Sequence, residues 1–93
     1  MTYRVIWVPV ALQLLADVWL ASTSRNAVTR ATHEIDQTLE LFPNSTGELL
    51  FDTVREYEEP PLTVEFEADD ANRCVYVLKV WETAAGRPPL TGG

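Results

Sequence analysis

The stretch Leu62-Thr63-Val64-Glu65-Phe66-Glu67-Ala68-Asp69 alternates between apolar and polar side chains. This period-two pattern is typical of a strand with one buried face. Residues 69–73 then have the Asp- and Asn-rich composition of a hairpin connection. Residues 74–81 are apolar on both faces, which indicates a central strand covered by helices. Together the two segments predict an antiparallel strand pair at the heart of a sheet.

Two helices are predicted upstream of this strand pair. The first begins at Pro9, whose missing N–H costs nothing in a first helical turn, and runs to about residue 20 or 21. The hydroxyl side chains of residues 22–24 offer N-caps for the second helix. Pro43 ends that second helix, and residues 44–47 are predicted to form a loop. Its apolar residues recur at spacings of three and four, which predicts one buried face made of Val28, Ala31, Ile35, Leu39 and Phe42.

Two more strands complete the predicted domain. Residues 3–8 are rich in β-branched and aromatic side chains, and residues 48–57 carry a further apolar group. The order strand, helix, helix and three strands predicts an α+β two-layer sandwich, in which a helical hairpin packs on an antiparallel sheet. We expect this domain to span residues 1–83. Residues 84–93 are rich in glycine and proline and are expected to form a flexible C-terminal tail.

The charge of the chain is negative and unevenly distributed. The net charge is −7, with −1 in residues 1–42 and −6 in residues 43–93. A surface that binds nucleic acid through its phosphates needs the opposite sign. The composition therefore disfavours direct nucleic-acid binding and favours a basic protein segment as the partner.

Cysteine content and hydropathy bear on the compartment. Cys74 is the single cysteine, so no intrachain disulfide can form. We find no charged-then-apolar leader and no apolar run near the ~18 residues that a membrane span requires. We therefore expect a cytoplasmic protein with no membrane contact. No cofactor is expected. No metal is expected either, because His33 has no nearby His or Cys at ligand spacing.

The succession of these segments resembles the RelE/ParE superfamily of type II toxin–antitoxin toxins. The resemblance extends over about residues 3–82, and this chain would be an acidic, divergent member. It rests on these residues in order: Tyr3-Arg4-Val5-Ile6-Trp7 with Pro9 and Ala11, then Leu15 and Trp19-Leu20, then Leu39 to Gly47 with Pro43, then Val54-Arg55-Glu56-Tyr57, Pro61-Leu62-Thr63-Val64-Glu65-Phe66 and Val75-Tyr76-Val77-Leu78-Lys79-Val80-Trp81.

The resemblance implies a plasmid-stabilisation-type bacterial toxin held by a cognate antitoxin with a basic or amphipathic tail. ParE-like members act by binding a protein target such as DNA gyrase, and RelE-like members cut messenger RNA on the ribosome. RelE-like enzymes carry basic residues on the sheet and near the C-terminus, whereas this chain has Glu48, Glu56 and Glu58 in that region and Trp81 or Glu82 at the C-terminal arginine position. The sequence therefore favours protein binding, with ribonuclease activity or a non-toxic adaptor of the same fold as alternatives.

A few residues are singled out as candidates for a functional site. Arg55 and Lys79 are the catalytic candidates, although a paired surface arginine and a snorkelling lysine at a sheet edge are the more ordinary explanations. Cys74 is expected to be a small buried side chain. The candidates for partner binding, which a solvated acidic strand and core tryptophans would also explain, are Glu65, Glu67, Asp69, Trp19 and Trp81.

Overall fold

The computed structural model describes residues 2–88. In this part of the chain two helices precede four of the five strands, and short 3₁₀ turns at Pro43–Ser45 and Thr83–Ala85 follow α2 and β5. The first helix ends at Ala21, as the sequence predicts. The elements in chain order are β1 (Arg4–Trp7), α1 (Pro9–Ala21), α2 (Arg25–Leu41), β2 (Glu48–Phe51), β3 (Val54–Glu59), β4 (Leu62–Asp69) and β5 (Cys74–Glu82).

The five strands form one sheet in the order β1-β5-β4-β3-β2, and the predicted α+β class is confirmed. Two details differ from the predicted antiparallel sheet. The first strand runs parallel to β5, so the sheet is mixed. Residues 48–57 form a hairpin instead of one strand, because Asp52 adopts a φ of 47° and reverses the chain between β2 and β3. Asp tolerates this left-handed conformation better than most residues.

The core lies between the helices and one face of the sheet. The second helix contributes the predicted stripe of Val28, Ala31, Ile35 and Leu39, all of which are buried. Phe42 was predicted to continue this stripe, and this prediction is wrong, because its side chain is 59% exposed. The helix ends at Leu41, and Phe42 leaves the helical conformation at its C-cap.

The sheet supplies the other half of the core. Apolar side chains from β4 and β5 meet the helices at 0% exposure: Leu62, Val64, Phe66, Val75, Val77 and Val80. Trp7 joins the edge strand to α2, since its Nε1 donates a hydrogen bond to Asp36 Oδ1 at 2.7 Å. The predicted hydroxyl cap of α2 is not made by Ser24; instead Ser22 Oγ accepts a hydrogen bond from the Ser24 amide.

The C-terminal segment returns to the sheet after β5. Thr83 is fixed to the connection between β3 and β4, because its amide donates to the Pro61 carbonyl at 2.9 Å. The two hydroxyl groups of Thr63 and Thr83 lie 2.6 Å apart. The tail predicted over residues 84–93 is described as far as Pro88, and residues 89–93 lie outside the described residues. Within the described range, no helix has the length and apolar character needed to cross a membrane.

Candidate functional site

The face of the sheet opposite the helices, here called the open face, is strongly acidic. The strand register places every second residue of β4 on this face, together with the residues of β3 and β5 that pair with them. Two basic residues, Arg4 on β1 and Lys79 on β5, lie on the same face according to the strand register. They stand against six carboxylates: Glu48, Glu56, Glu58, Glu65, Glu67 and Asp69.

Lys79 belongs to β5, which has a paired strand on each side, and the sequence-based expectation of a sheet-edge position is wrong. A bulge in β5 opposite the step between Glu65 and Phe66 shifts the alternation of side chains. As a result Lys79 lies beside Glu65 on the open face, while Val80 returns to the helix side. Lys79 therefore lies among carboxylates and not at the edge of the sheet, where its ammonium group would extend into water.

Arg87 is the residue of the open face that the sequence does not single out. Its Nη2 lies 2.5 Å from Glu56 Oε2, and its Nη1 forms an ion pair with Glu65. The guanidinium carbon also lies 4.9 Å from the centre of the Trp81 ring. The sequence indicates the position of Arg87 only weakly. Arg87 is the only basic residue after Lys79, and its partner Glu65 lies far from it in the chain.

The acidic candidates differ in their exposure. Glu65 is 4% exposed, contrary to the expectation of a solvated face, because Arg87 and neighbouring side chains cover it. Glu67 is half-buried and accepts a hydrogen bond from Thr53 Oγ1, and Asp69 accepts one from the Asn72 side chain at 2.8 Å. Only Glu65 among these three is a desolvated carboxylate that depends on a cation.

Trp81 and Trp19 lie in different parts of the molecule. Trp81 is 7% exposed and belongs to the open face, where the guanidinium carbon of Arg87 lies over its ring. Trp19 is 41% exposed and belongs to α1. Its ring lies 4.6 Å from the Arg25 guanidinium carbon. The structure thus does not bring the two tryptophans into one site.

Trp19 lines a groove between α1 and α2. The walls of this groove are mostly apolar. Several of the side chains in them are large, hydrophobic and exposed, and globular proteins rarely expose such side chains in clusters. His33 lies at the edge of this groove, and it belongs to no group of three or more His, Cys, Asp or Glu side chains that could hold a metal ion among residues 2–88. The groove is formed by Leu12, Leu15, Ala16, Trp19, Leu20, Val28, Thr29, Thr32 and His33.

Arg55 is engaged in holding the backbone. Its Nε donates to the Thr46 carbonyl at 2.9 Å and its Nη2 to the Gly47 carbonyl at 3.2 Å. It lies on the helix side of β3, opposite Phe66, and so faces away from the open face. The structure brings it near neither Lys79 nor Arg87. Cys74 is buried at the start of β5, with its Sγ 3.4 Å from the Asn72 carbonyl oxygen.

A polar cluster joins the start of β1 to the turn between β4 and β5. The Tyr3 hydroxyl donates to Asp70 Oδ1 at 2.7 Å, and Asn44 Nδ2 donates to the same oxygen at 2.9 Å. The hydrogen bond to Asp70 raises the pKa of Tyr3 above its ordinary 10.0. The hydrogen bonds from Tyr3 and Asn44 lower the pKa of Asp70 below its ordinary 3.8.

These shifts give a pH prediction for the cluster. Because the pKa of Asp70 is lower in the folded state, its contribution to stability is present above pH 3.8 and is lost as the pH falls through the folded value. Because the pKa of Tyr3 is raised, its contribution is present below pH 10.0 and is lost as the pH rises through the folded value. We expect Asp70→Asn to move the Tyr3 pKa back towards 10.0 in an NMR titration of its ring. Asp69→Asn is the control, and an unchanged Tyr3 titration in Asp70→Asn would contradict the assignment.

Comparisons with known proteins place the fold. No protein-family model matches the sequence, and no curated protein matches it. Solved structures do match at probability 1.00. Among them is the toxin–antitoxin complex RelBE2 from Mycobacterium tuberculosis, with 16% sequence identity, a TM-score of 0.73, and coverage of 88% of this chain and 92% of that one.

Two further structures extend this likeness. The chromosomal ParDE system from P. aeruginosa has 14% identity and a TM-score of 0.66, over 86% of this chain and 95% of that one. The isolated E. coli RelE toxin has 18% identity and a TM-score of 0.64, over 95% of this chain and 89% of that one. The alignments span nearly the whole domain in both the RelE and the ParE branches. The chain therefore has the fold of the RelE/ParE toxins.

Proposed function

We propose that this chain is the toxin of a cytoplasmic type II toxin–antitoxin pair, that it acts by binding a protein target, and that a cognate antitoxin neutralises it. One observation carries the proposal. The solved structures that share its fold over at least 86% of its length include a RelBE2 complex and a ParDE system, both described as toxin–antitoxin assemblies. Fold alone does not fix activity, so the choice of mechanism rests on the site.

The open face supports protein binding over RNA cleavage. Cleaving RNA requires cations that bind the phosphates and stabilise the charge of the transition state. The open face instead carries six carboxylates against Arg4, Lys79 and the returning Arg87. Such a field repels a polyanion and attracts a basic protein surface.

The individual cations also lack the arrangement that a ribonuclease needs. Arg55 donates its guanidinium hydrogen bonds to two backbone carbonyls on the helix side of β3. Arg87 is neutralised by Glu65 and Glu56. Lys79 lies next to Glu65 in the strand register. Arg55 and Arg87 could therefore bind a phosphate only by giving up these partners, and Lys79 only next to the carboxylate of Glu65.

Two surfaces fit an antitoxin of the expected chemistry. The open face, with Glu65, Glu67, Asp69 and Trp81, matches a basic segment. The groove that contains Trp19 matches the apolar side of an amphipathic helix, a common way of binding a peptide segment. A tail that is both basic and amphipathic would use both surfaces, which lie on opposite layers of the sandwich.

Inducible expression in a bacterial host tests the proposed function. We expect growth to stop on induction while the 5′ ends of cellular messenger RNAs stay unchanged. Growth should recover when a short neighbouring reading frame with a basic, amphipathic C-terminal half is expressed together with this chain. A gyrase supercoiling assay with the purified protein tests that target directly. A destabilised variant serves as the control for the burden of expression.

Two outcomes would change the conclusion. New messenger RNA ends that appear with the growth arrest would replace protein binding by ribonuclease activity. Normal growth at a confirmed level of folded protein would remove the toxin assignment and leave a non-toxic adaptor of the same fold.

A further inference from the structure

The centre of the open face already holds one guanidinium group. Arg87 reaches it from the C-terminal segment, which turns back after β5 through the Thr83–Ala85 turn. Its two terminal nitrogens meet different carboxylates, Glu65 and Glu56, and its guanidinium carbon lies over the Trp81 ring. Two carboxylates and one aromatic ring are a suitable set of groups for binding an arginine side chain.

The site has a strong demand for a cation. Glu65 lies in the middle of the sheet at 4% exposure, and Trp81 beside it is at 7%. A carboxylate with so little water around it is costly unless it is paired. Arg87 is the cation that pairs with Glu65. The segment that carries Arg87 is exposed, so its guanidinium is held mainly by the groups of the open face.

The carboxylates around this site could pair with more than one basic side chain. Glu58, Glu67 and Asp69 lie on the same face, and Glu48 lies at its far edge on β2. A basic segment running across the strands would meet several of these carboxylates in turn. Its attraction to the face would be long-range and sensitive to salt.

We propose that the open face is a docking surface for an arginine-bearing basic segment of a partner protein, whose guanidinium takes the place of Arg87 between Glu65, Glu56 and the Trp81 ring. Arg87 is then an intramolecular competitor that fills the site until the partner arrives. The identity of the partner as an antitoxin rests on the proposed function, whereas the arginine site itself rests on the contacts of these residues.

Other occupants fit the face less well. A second copy of the chain brings a net charge of −7 to a surface of the same sign. A nucleic acid meets the same repulsion. For a metal ion, the described residues contain no group of three or more suitable ligands. An arginine segment is the occupant that satisfies both the carboxylates and the ring.

Fluorescence anisotropy of a labelled peptide of alternating arginine and glycine, titrated with the full chain, tests the inference. We expect Glu65→Gln to weaken binding by at least about tenfold, because a desolvated charged hydrogen bond is lost. Glu67→Gln is the matched control, since it removes the same charge from the same face and strand but contacts no atom of the Arg87 guanidinium. Its effect should stay within about twofold to threefold at physiological salt.

Removing the competitor should have the opposite effect. We expect Arg87→Ala to bind the peptide about tenfold more tightly, since a short tether holds Arg87 at a high effective concentration. Arg30→Ala removes the same charge from the helical layer and is the control for net charge. The corresponding lysine peptide should bind several-fold more weakly than the arginine peptide at a site built for a planar guanidinium.

Three results would overturn the inference: equal losses in Glu65→Gln and Glu67→Gln, unchanged affinity in Arg87→Ala relative to Arg30→Ala, or equal binding of the lysine peptide. Circular dichroism checks that each variant is folded, and Glu56→Gln replaces Glu65→Gln if the latter unfolds. The peptide assay does not depend on toxicity. Peptide binding without growth arrest would support the arginine site and contradict the toxin assignment. Growth arrest without peptide binding would support the toxin assignment and contradict the arginine site.

Discussion

Replacing Gly47 with alanine is expected to lower the free energy of unfolding by about 3 kcal/mol. Gly47 has a φ of +68°, which L-residues with a side chain adopt at a cost. An added Cβ would also lie 2.0 Å from the Glu56 carbonyl oxygen and 2.9 Å from its carbon, both of them backbone atoms. The clash cannot be relieved by a rotamer change, so the start of β2 must move away from β3.

Gly86→Ala is the matched control for this prediction. Gly86 also has a positive φ, of +82°, but no atom lies within 4 Å of an added Cβ. Its substitution therefore isolates the conformational cost, which we expect to be about 1 kcal/mol. Urea denaturation of the three proteins, followed by circular dichroism, measures both differences. Equal losses would mean that the close approach to Glu56 does not contribute.

Gly47 also marks what could and could not be predicted from the sequence. The sequence places a loop at residues 44–47, but the need for glycine comes from the approach of Glu56, which follows nine residues later on β3. Arg55 holds the same loop through its bonds to the carbonyls of Thr46 and Gly47. Such contacts depend on the register between strands, which residue types alone do not determine.

Local periodicity was sufficient for most of the elements. The helices follow from spacings of three and four, and β4 follows from alternation, because each pattern reflects one buried face. The β2–β3 hairpin was missed because its turn is made by Asp52 and Thr53, without the glycine that usually marks a short hairpin. Asp52 supplies the positive φ instead.

The open face was predicted only in part. Alternation correctly grouped Glu65, Glu67 and Asp69 on one face of β4. Two features were hidden: a bulge in β5 that turns Lys79 towards Glu65, and a tail residue that returns to the same carboxylate. A bulge changes the phase of a strand without leaving a strong mark in the sequence. A long-range ion pair leaves no local pattern of any kind.

Phe66→Ala is expected to lower the free energy of unfolding by about 4 kcal/mol, as for other large-to-small changes in a packed core. Phe66 is 0% exposed and lies in the cluster where β4 and β5 meet the two helices. For a domain of this size such a loss corresponds to a fall of roughly 15–30 °C in the melting temperature. It is also a large share of the total stability, which is about 5–15 kcal/mol for native proteins. We therefore expect the variant to be partly unfolded at growth temperature.

Phe42→Ala makes the same chemical change at a position where sequence and structure disagree. Hydrophobic spacing assigns Phe42 to the buried stripe of α2, whereas the structure exposes 59% of it beyond the end of that helix. We expect its replacement to cost less than about 1 kcal/mol, since an exposed side chain has little packing to lose. Thermal denaturation of the two variants side by side measures the difference. A loss in Phe42→Ala as large as that in Phe66→Ala would mean that α2 continues through residue 42 and that the periodicity was the better guide there.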